Sequence, residues 1–244
     1  MDQTASRRGW PARPAGISLP PPSPEVPPAL PGRRYGWQVA RHAVWTLPVY
    51  ALARLWLSLL PEPEPTGDPA AWAERVTGDG YVRGQVVAGI GGELLVLVGL
   101  VALAALVSGR GKRFAAAGLL AGLASVVLAL PRLSMTAAAA PVLGEHAQGG
   151  EPVAAAWFEQ LYARTEPAAS VGAGLLGLAL VLLGVAAWRS PSLGRAEGLL
   201  LVVAGPLLVA GHWYQPMLTP LGALPLLAAG VAIAWSGGRP GGQR

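Results

Sequence analysis

The sequence predicts an all-α, polytopic membrane protein, a bundle of six transmembrane helices. Three observations predict it. Hydrophobic residues make up 52% of the chain and charged residues 13%, a balance foreign to soluble domains. The apolar residues fall in runs near the ~20 residues that a helix needs to cross ~30 Å of hydrocarbon. The Lys and Arg residues between the runs alternate in density from one connection to the next, the pattern that sets orientation in a bilayer.

In chain order, residues 1–36 read as a disordered, Pro/Arg-rich cytoplasmic tail. Pro20-Pro21-Pro22 and Pro27-Pro28 lack backbone donors and resist helix, and few large apolar residues are there to bury. The transmembrane domain, 37–236, begins with a span over 42–60, interrupted by Pro48 and Arg54. The second span is 86–107. The basic turn Gly109-Arg110-Gly111-Lys112-Arg113 leads to the third, 114–133, completing a helical hairpin. The fourth, fifth and sixth spans are 168–188, 197–213 and 217–235, and 237–244 is a short cytoplasmic tail. In lipid the backbone must satisfy its own hydrogen bonds, so each span is helical.

Arg110, Lys112, Arg113, Arg189 and Arg195 share one side with the Arg-bearing termini, and only Arg75, Arg83 and Arg164 fall on the other. Both termini are therefore expected in the cytoplasm, in a bacterial plasma membrane. Trp45, Trp188 and Trp235 fall at the inner ends of spans and Trp56 and Trp213 near outer ends, the headgroup level that amphipathic rings favour. The outer connections are acidic. Asp68-Pro69 signals a helix through Trp72 to Val76. Glu151-Pro152 signals another, with Trp157, Phe158, Leu161 and Tyr162 at helical spacing, expected to lie on the membrane surface; a lid packed over the bundle is the alternative. Ala71-Trp72-Ala73-Glu74 and Ala156-Trp157-Phe158-Glu159 each precede a span, a basic turn and another span, which suggests an internal repeat.

Motifs for chemistry are few. The chain has no Cys, which excludes disulfides and thiol redox chemistry. Gly172-Ala173-Gly174-Leu175-Leu176-Gly177 spells GxGxxG inside a span, where small residues serve close helix approach rather than a dinucleotide. No HExxH or Gly-x-Ser-x-Gly occurs. No cofactor, metal or nucleic-acid partner is expected. The bilayer is the expected partner, with a second membrane protein or a second copy of the chain as further candidates.

The candidate site is a set of ionisable residues at similar depth: Arg54, Glu93, Arg132 and His212. Glu93 lies roughly 11 Å below the outer surface and Arg54 roughly 9 Å. A charge at a span's centre costs about 2.5–3.5 kcal/mol. Arg132 joins them if the third span continues through 137–140; otherwise it snorkels to the interface. One reading is a structural Arg54–Glu93 ion pair. The other is a polar cavity open to the outside, with His212, Tyr214 and Gln215 at its rim.

Whole, the chain resembles the uncharacterised multi-pass proteins of actinobacterial membranes. The Pro/Arg-rich leader, the Ala/Leu/Gly spans and the basic turns carry that resemblance, which implies no activity and no site residues. The function expected is that of an integral membrane protein acting as a scaffold or accessory subunit. A small transporter or permease component binding at Arg54 and Glu93 is the first alternative, and an intramembrane enzyme the second.

Overall fold

The structure is a computed structural model that describes residues 31–59, 68–151, 153–213 and 218–236, with side chains from residue 36 onward. The predicted disordered tail falls largely on 1–30, and the C-terminal tail on 237–244; both lie outside the described residues, as does 214–217. Among the described residues there is no strand. The helices are α1 (Pro31–Ala43), α2 (Thr46–Leu57), α3 (Pro69–Thr77), α4 (Asp79–Gly84), α5 (Gly91–Leu106), α6 (Lys112–Ser134), α7 (Ala140–Gln148), α8 (Val153–Trp188), α9 (Arg195–Trp213) and α10 (Leu218–Ser236). A π-helical segment, Gln85–Ile90, joins α4 to α5, and a second, Met135–Ala139, joins α6 to α7.

The bundle is a closed ring. α5 packs on α6, α6 on α8, α8 on α9, α9 on α10, α10 on α2, and α2 back on α5. Its core is aliphatic, with Leu47, Leu100, Leu103, Leu180, Leu183, Leu201, Leu226 and Ile233 wholly buried. The outward face keeps Leu94, Val98, Leu120, Val127, Leu178, Leu199 and Leu224 exposed, the surface that lipid solvates. Glycines set the tightest crossings. A Cβ on Gly205 would lie 2.5 Å from the Gly177 carbonyl oxygen, and one on Gly198 would lie 2.6 Å from that of Gly184. The close α8–α9 approach therefore requires residues without side chains.

Among the described residues, five helices are long and apolar enough to cross a membrane: 79–106, 109–148, 153–188, 195–213 and 218–236. The first predicted span, 42–60, does not supply a sixth on those terms. It is divided into α1 and the 12-residue α2, about 18 Å long. Pro48 accounts for the division. It has no N–H to give the Val44 carbonyl, which instead accepts from Leu47 N at 3.0 Å in a tighter turn. The Pro48 ring then wedges against Gly230 on α10, so the short helix still completes the ring.

Two helices run well beyond their predicted bounds. The helix over 109–148 has 40 residues and that over 153–188 has 36, whereas α9 and α10 have 19 each. The third span thus continues through 137–140, and Arg132 lies within unbroken helix. The surface helix predicted after Glu151-Pro152 is the N-terminal part of α8. The predicted fourth span begins only at 168, but the buried stripe Ala154, Phe158, Ala169, Gly172 and Leu176 keeps helical spacing past the exposed Pro167, which lies inside the helix.

The overhanging segments form a cap with α3. Trp72, Ala73, Val76, Tyr81, Ala140, Ala155 and Phe158 make its separate core, and the Trp72 and Phe158 rings lie 5.3 Å apart. Asp68 caps α3 by accepting from Ala70 N at 2.9 Å. The two halves of the expected repeat differ here. Trp72 is buried, its counterpart Trp157 is exposed, and the second copy is part of a long helix rather than a separate one.

At the opposite end, Ser108, Ser190 and Ser192 tie the turn before α6 to the turn before α9. Ser108 N donates to Ser190 Oγ at 3.0 Å, and Ser192 Oγ donates to the Leu106 carbonyl at 2.7 Å. Arg189 stacks 4.6 Å over the Phe114 ring.

Candidate functional site: a polar cavity at the junction of bundle and cap

The four ionisable residues singled out by sequence come from four helices. Arg54 lies in the last turn of α2 and Glu93 in the first turn of α5. Arg132 lies in the last turn of α6 and His212 in the last turn of α9. The antiparallel ring brings these turns to one level, and all four side chains line one cavity of about 240 Å³. The π-helical segments lie at this level and pack on each other. Such segments occur often at functional sites because they re-aim side chains from an otherwise regular helix. Gln85 comes from the first and Thr136 from the second, and the Thr136 hydroxyl donates to Gln85 Oε1 at 3.4 Å.

The charges fall into two sets. In the first, Arg132 forms an ion pair with Glu166, stacks 3.8 Å over the Tyr162 ring and hydrogen-bonds the Tyr162 hydroxyl. Ser170 Oγ donates to Glu166 Oε1 at 2.9 Å and lies 3.4 Å from His212 Nε2. His212 Nε2 is 3.8 Å from the same carboxylate oxygen. Trp213 Nε1 donates to the Ser170 carbonyl at 3.3 Å, clamping the end of α9 to α8. The Glu166 side chain is 43% accessible and that of Arg132 19%, so Glu166 is the wet edge of this network.

The second set is Arg54, Glu93 and Tyr50. Gly92 lies against Ala53 and Tyr50, a Cβ there being 3.6 Å and 3.7 Å from them. The next residue on each helix therefore brings Arg54 and Glu93 to the same wall. Among the described residues they form no ion pair within 4.0 Å, contrary to the structural pairing that equal depth suggested. Arg54 Nε, Glu93 Oε2 and Tyr50 Oη are buried without a hydrogen-bond partner. Glu93 is 5% exposed and Tyr50 1%. An unpaired polar group so deeply buried costs about 1–3 kcal/mol, which the packing of α2 on α5 must carry.

Sequence reasoning placed Glu166 in the second acidic outer connection, read Tyr162 as a membrane-surface aromatic, and gave Gln85, Tyr50, Ser125, Thr136 and Ser170 no role. One signal was present: Glu166 and Ser170 are spaced i, i+4 and so share a helical face. The expected rim residues Tyr214 and Gln215 lie outside the described residues.

Ser170, His212 and Glu166 invite comparison with a nucleophilic triad. A triad needs the acid on one ring nitrogen and the hydroxyl on the other. Here both approach Nε2, and the serine proton is directed to the carboxylate, so the arrangement positions side chains and does not activate an alkoxide. Among the described residues no three His, Cys, Asp or Glu side chains converge as metal ligands.

A family model described as a domain of unknown function (DUF4386) matches residues 47–237. No curated protein and no solved structure matches the chain.

Proposed function

Given that the chain belongs to the DUF4386 family, whose matched region takes in all of the cavity-lining residues, we propose that it is a solute-binding integral membrane protein and that this cavity is its binding site. One observation carries the reading: Arg54 and Glu93 line a shared cavity, yet each keeps a buried polar atom without a partner. Arg132, whose Nη1 also lacks a hydrogen-bond partner, at least has its charge answered by Glu166; Arg54 and Glu93 are in no ion pair among the described residues. Ionisable residues inside a membrane domain mark ligand or ion pathways more often than packing contacts.

The membrane arrangement that fits this reading has the basic turns in the cytoplasm and the acidic cap outside, both termini cytoplasmic, in a bacterial plasma membrane. The α1–α2 segment supplies the sixth crossing, using the length of both helices. The cavity then lies in the outer half of the bilayer beneath the cap, where a permease component receives its solute. A scaffold or accessory subunit would not need the unpaired charges, which ranks that role second.

The test is a thermal-unfolding screen of the full chain in nanodiscs against sugars, organic anions, organic cations, amino acids and inorganic ions. At least one class should raise Tm saturably, by roughly 5–10 °C at one hundred times Kd, and the rise should vanish in Glu93→Gln. A chain unmoved by every class would reduce the cavity to a packing defect and return the scaffold role to first place. Uptake of the stabilising solute into proteoliposomes separates transport from binding.

A further inference from the structure

The cavity that the solute-binding reading rests on distinguishes among solutes by charge. Arg132 and Glu166 neutralise each other, so they present no net demand to a ligand. Arg54 and Glu93 do not meet each other, and they present one positive and one negative group to the same space. A lone anion would pair with Arg54 and leave Glu93 both unpaired and repelled. A lone cation would do the converse at Arg54. A molecule bearing both charges satisfies both ends at once, and beside groups as deeply buried as Glu93 and Tyr50 the difference is large.

Size and hydrogen bonding narrow the class. The cavity of about 240 Å³ exceeds the ~150 Å³ that accommodates benzene in an engineered core and falls below the ~300–1,000 Å³ of drug-sized sites. Near the negative end, Glu93 Oε2 and Tyr50 Oη are both buried and without partners, and both accept hydrogen bonds. A primary ammonium can donate to both, whereas a quaternary one cannot. At the positive end, the fork of a guanidinium matches the two oxygens of a carboxylate or a phosphate.

We infer that Arg54 and Glu93, with Tyr50, hold the two ends of a small zwitterion that carries a primary ammonium and a carboxylate or phosphate. Free amino-acid-like solutes and the ethanolamine phosphate headgroup of a lipid share this chemistry.

The experiment uses the full chain in nanodiscs of phosphatidylcholine and phosphatidylglycerol, with Tm and isothermal titration as readouts. The probes are glycine, γ-aminobutyrate and phosphoethanolamine, the half-molecules acetate and methylammonium, and glycine betaine. At least one primary-ammonium zwitterion should bind saturably, and neither half-molecule nor the betaine should match it. Glu93→Gln and Arg54→Gln should each weaken that binding roughly 10- to 100-fold. Glu93→Gln should also raise the ligand-free Tm, because it removes an unpaired carboxyl group, so lost binding cannot be put down to misfolding. A second set of nanodiscs containing phosphatidylethanolamine separates the two sources. If that lipid raises Tm in wild type but not in Glu93→Gln, and free zwitterions do nothing, the ligand is the headgroup. Acetate or methylammonium binding as well as the zwitterions overturns the charge argument and leaves solute binding standing. No response to any zwitterion, free or lipid-borne, overturns the inference outright, and the broader solute screen then decides the parent reading separately.

Discussion

At the scale of single residues, the polar network beside the cavity is a stabilising device with a measurable coupling. Arg132 and Glu166 are held together by an ion pair, a ring stack and the bonds to Tyr162 and Ser170. Breaking a fully buried pair costs about 3–5 kcal/mol, and the partial exposure of Glu166 lowers that. Arg132→Gln and Glu166→Gln should each cost about 1–3 kcal/mol in equilibrium unfolding in detergent, and the double substitution should cost less than the two together. Strict additivity would show that the two side chains act independently. Arg54, Glu93, Arg132 and His212 were legible in sequence because a charge within or beside an apolar run has few harmless explanations. Glu166 was not legible, because it lies just before the apolar run that begins at 168 and so read as part of an outer connection. Which charges pair was also out of reach: depth along a helix can be counted, but rotation about its axis depends on packing.

At the scale of elements, the cap has its own core and should yield independently of the bundle. Trp72 is wholly buried against Phe158, and truncating such a ring costs about 3–5 kcal/mol. Trp72→Ala should therefore raise amide hydrogen exchange in α3, α7 and residues 153–166 while leaving α9 and α10 protected. Uniform loss of protection would mean that cap and bundle unfold as one unit. The apolar spans and the helix α3 could be read from composition, periodicity and the Asp68-Pro69 start. The overhangs could not, because hydropathy reports where a helix leaves hydrocarbon, not where it ends. The division between α1 and α2 was signalled by Pro48, but a proline within a span is equally compatible with unbroken helix, as Pro206 and Pro225 show.

At the scale of the whole molecule, the ring places every basic turn at one end and the cap at the other. With the basic end in the cytoplasm, a reporter fused after Gly109 should give a cytoplasmic signal and one inserted near Gly149 an external one. The reverse pair of signals would invert the proposed orientation. A fusion replacing residues 1–30 tests α2 directly: the same cytoplasmic side as Gly109 means that α1–α2 crosses the bilayer, and the opposite side means that it does not. The ring's closure also has a consequence in time. Pro48 seats against Gly230, so the contact that completes the bundle joins segments separated by about 180 residues of chain. At roughly 5–20 residues per second of synthesis, α2 waits about 10–35 s for α10 to be made. Until then, of its packing neighbours in the finished ring, the short helix carrying Arg54 has α5 and the π-helical segment before it, but not α10. The ribosome thus emits the wall that carries Arg54 early and its closing partner last, which leaves α2 dependent on the insertion machinery until α10 is made.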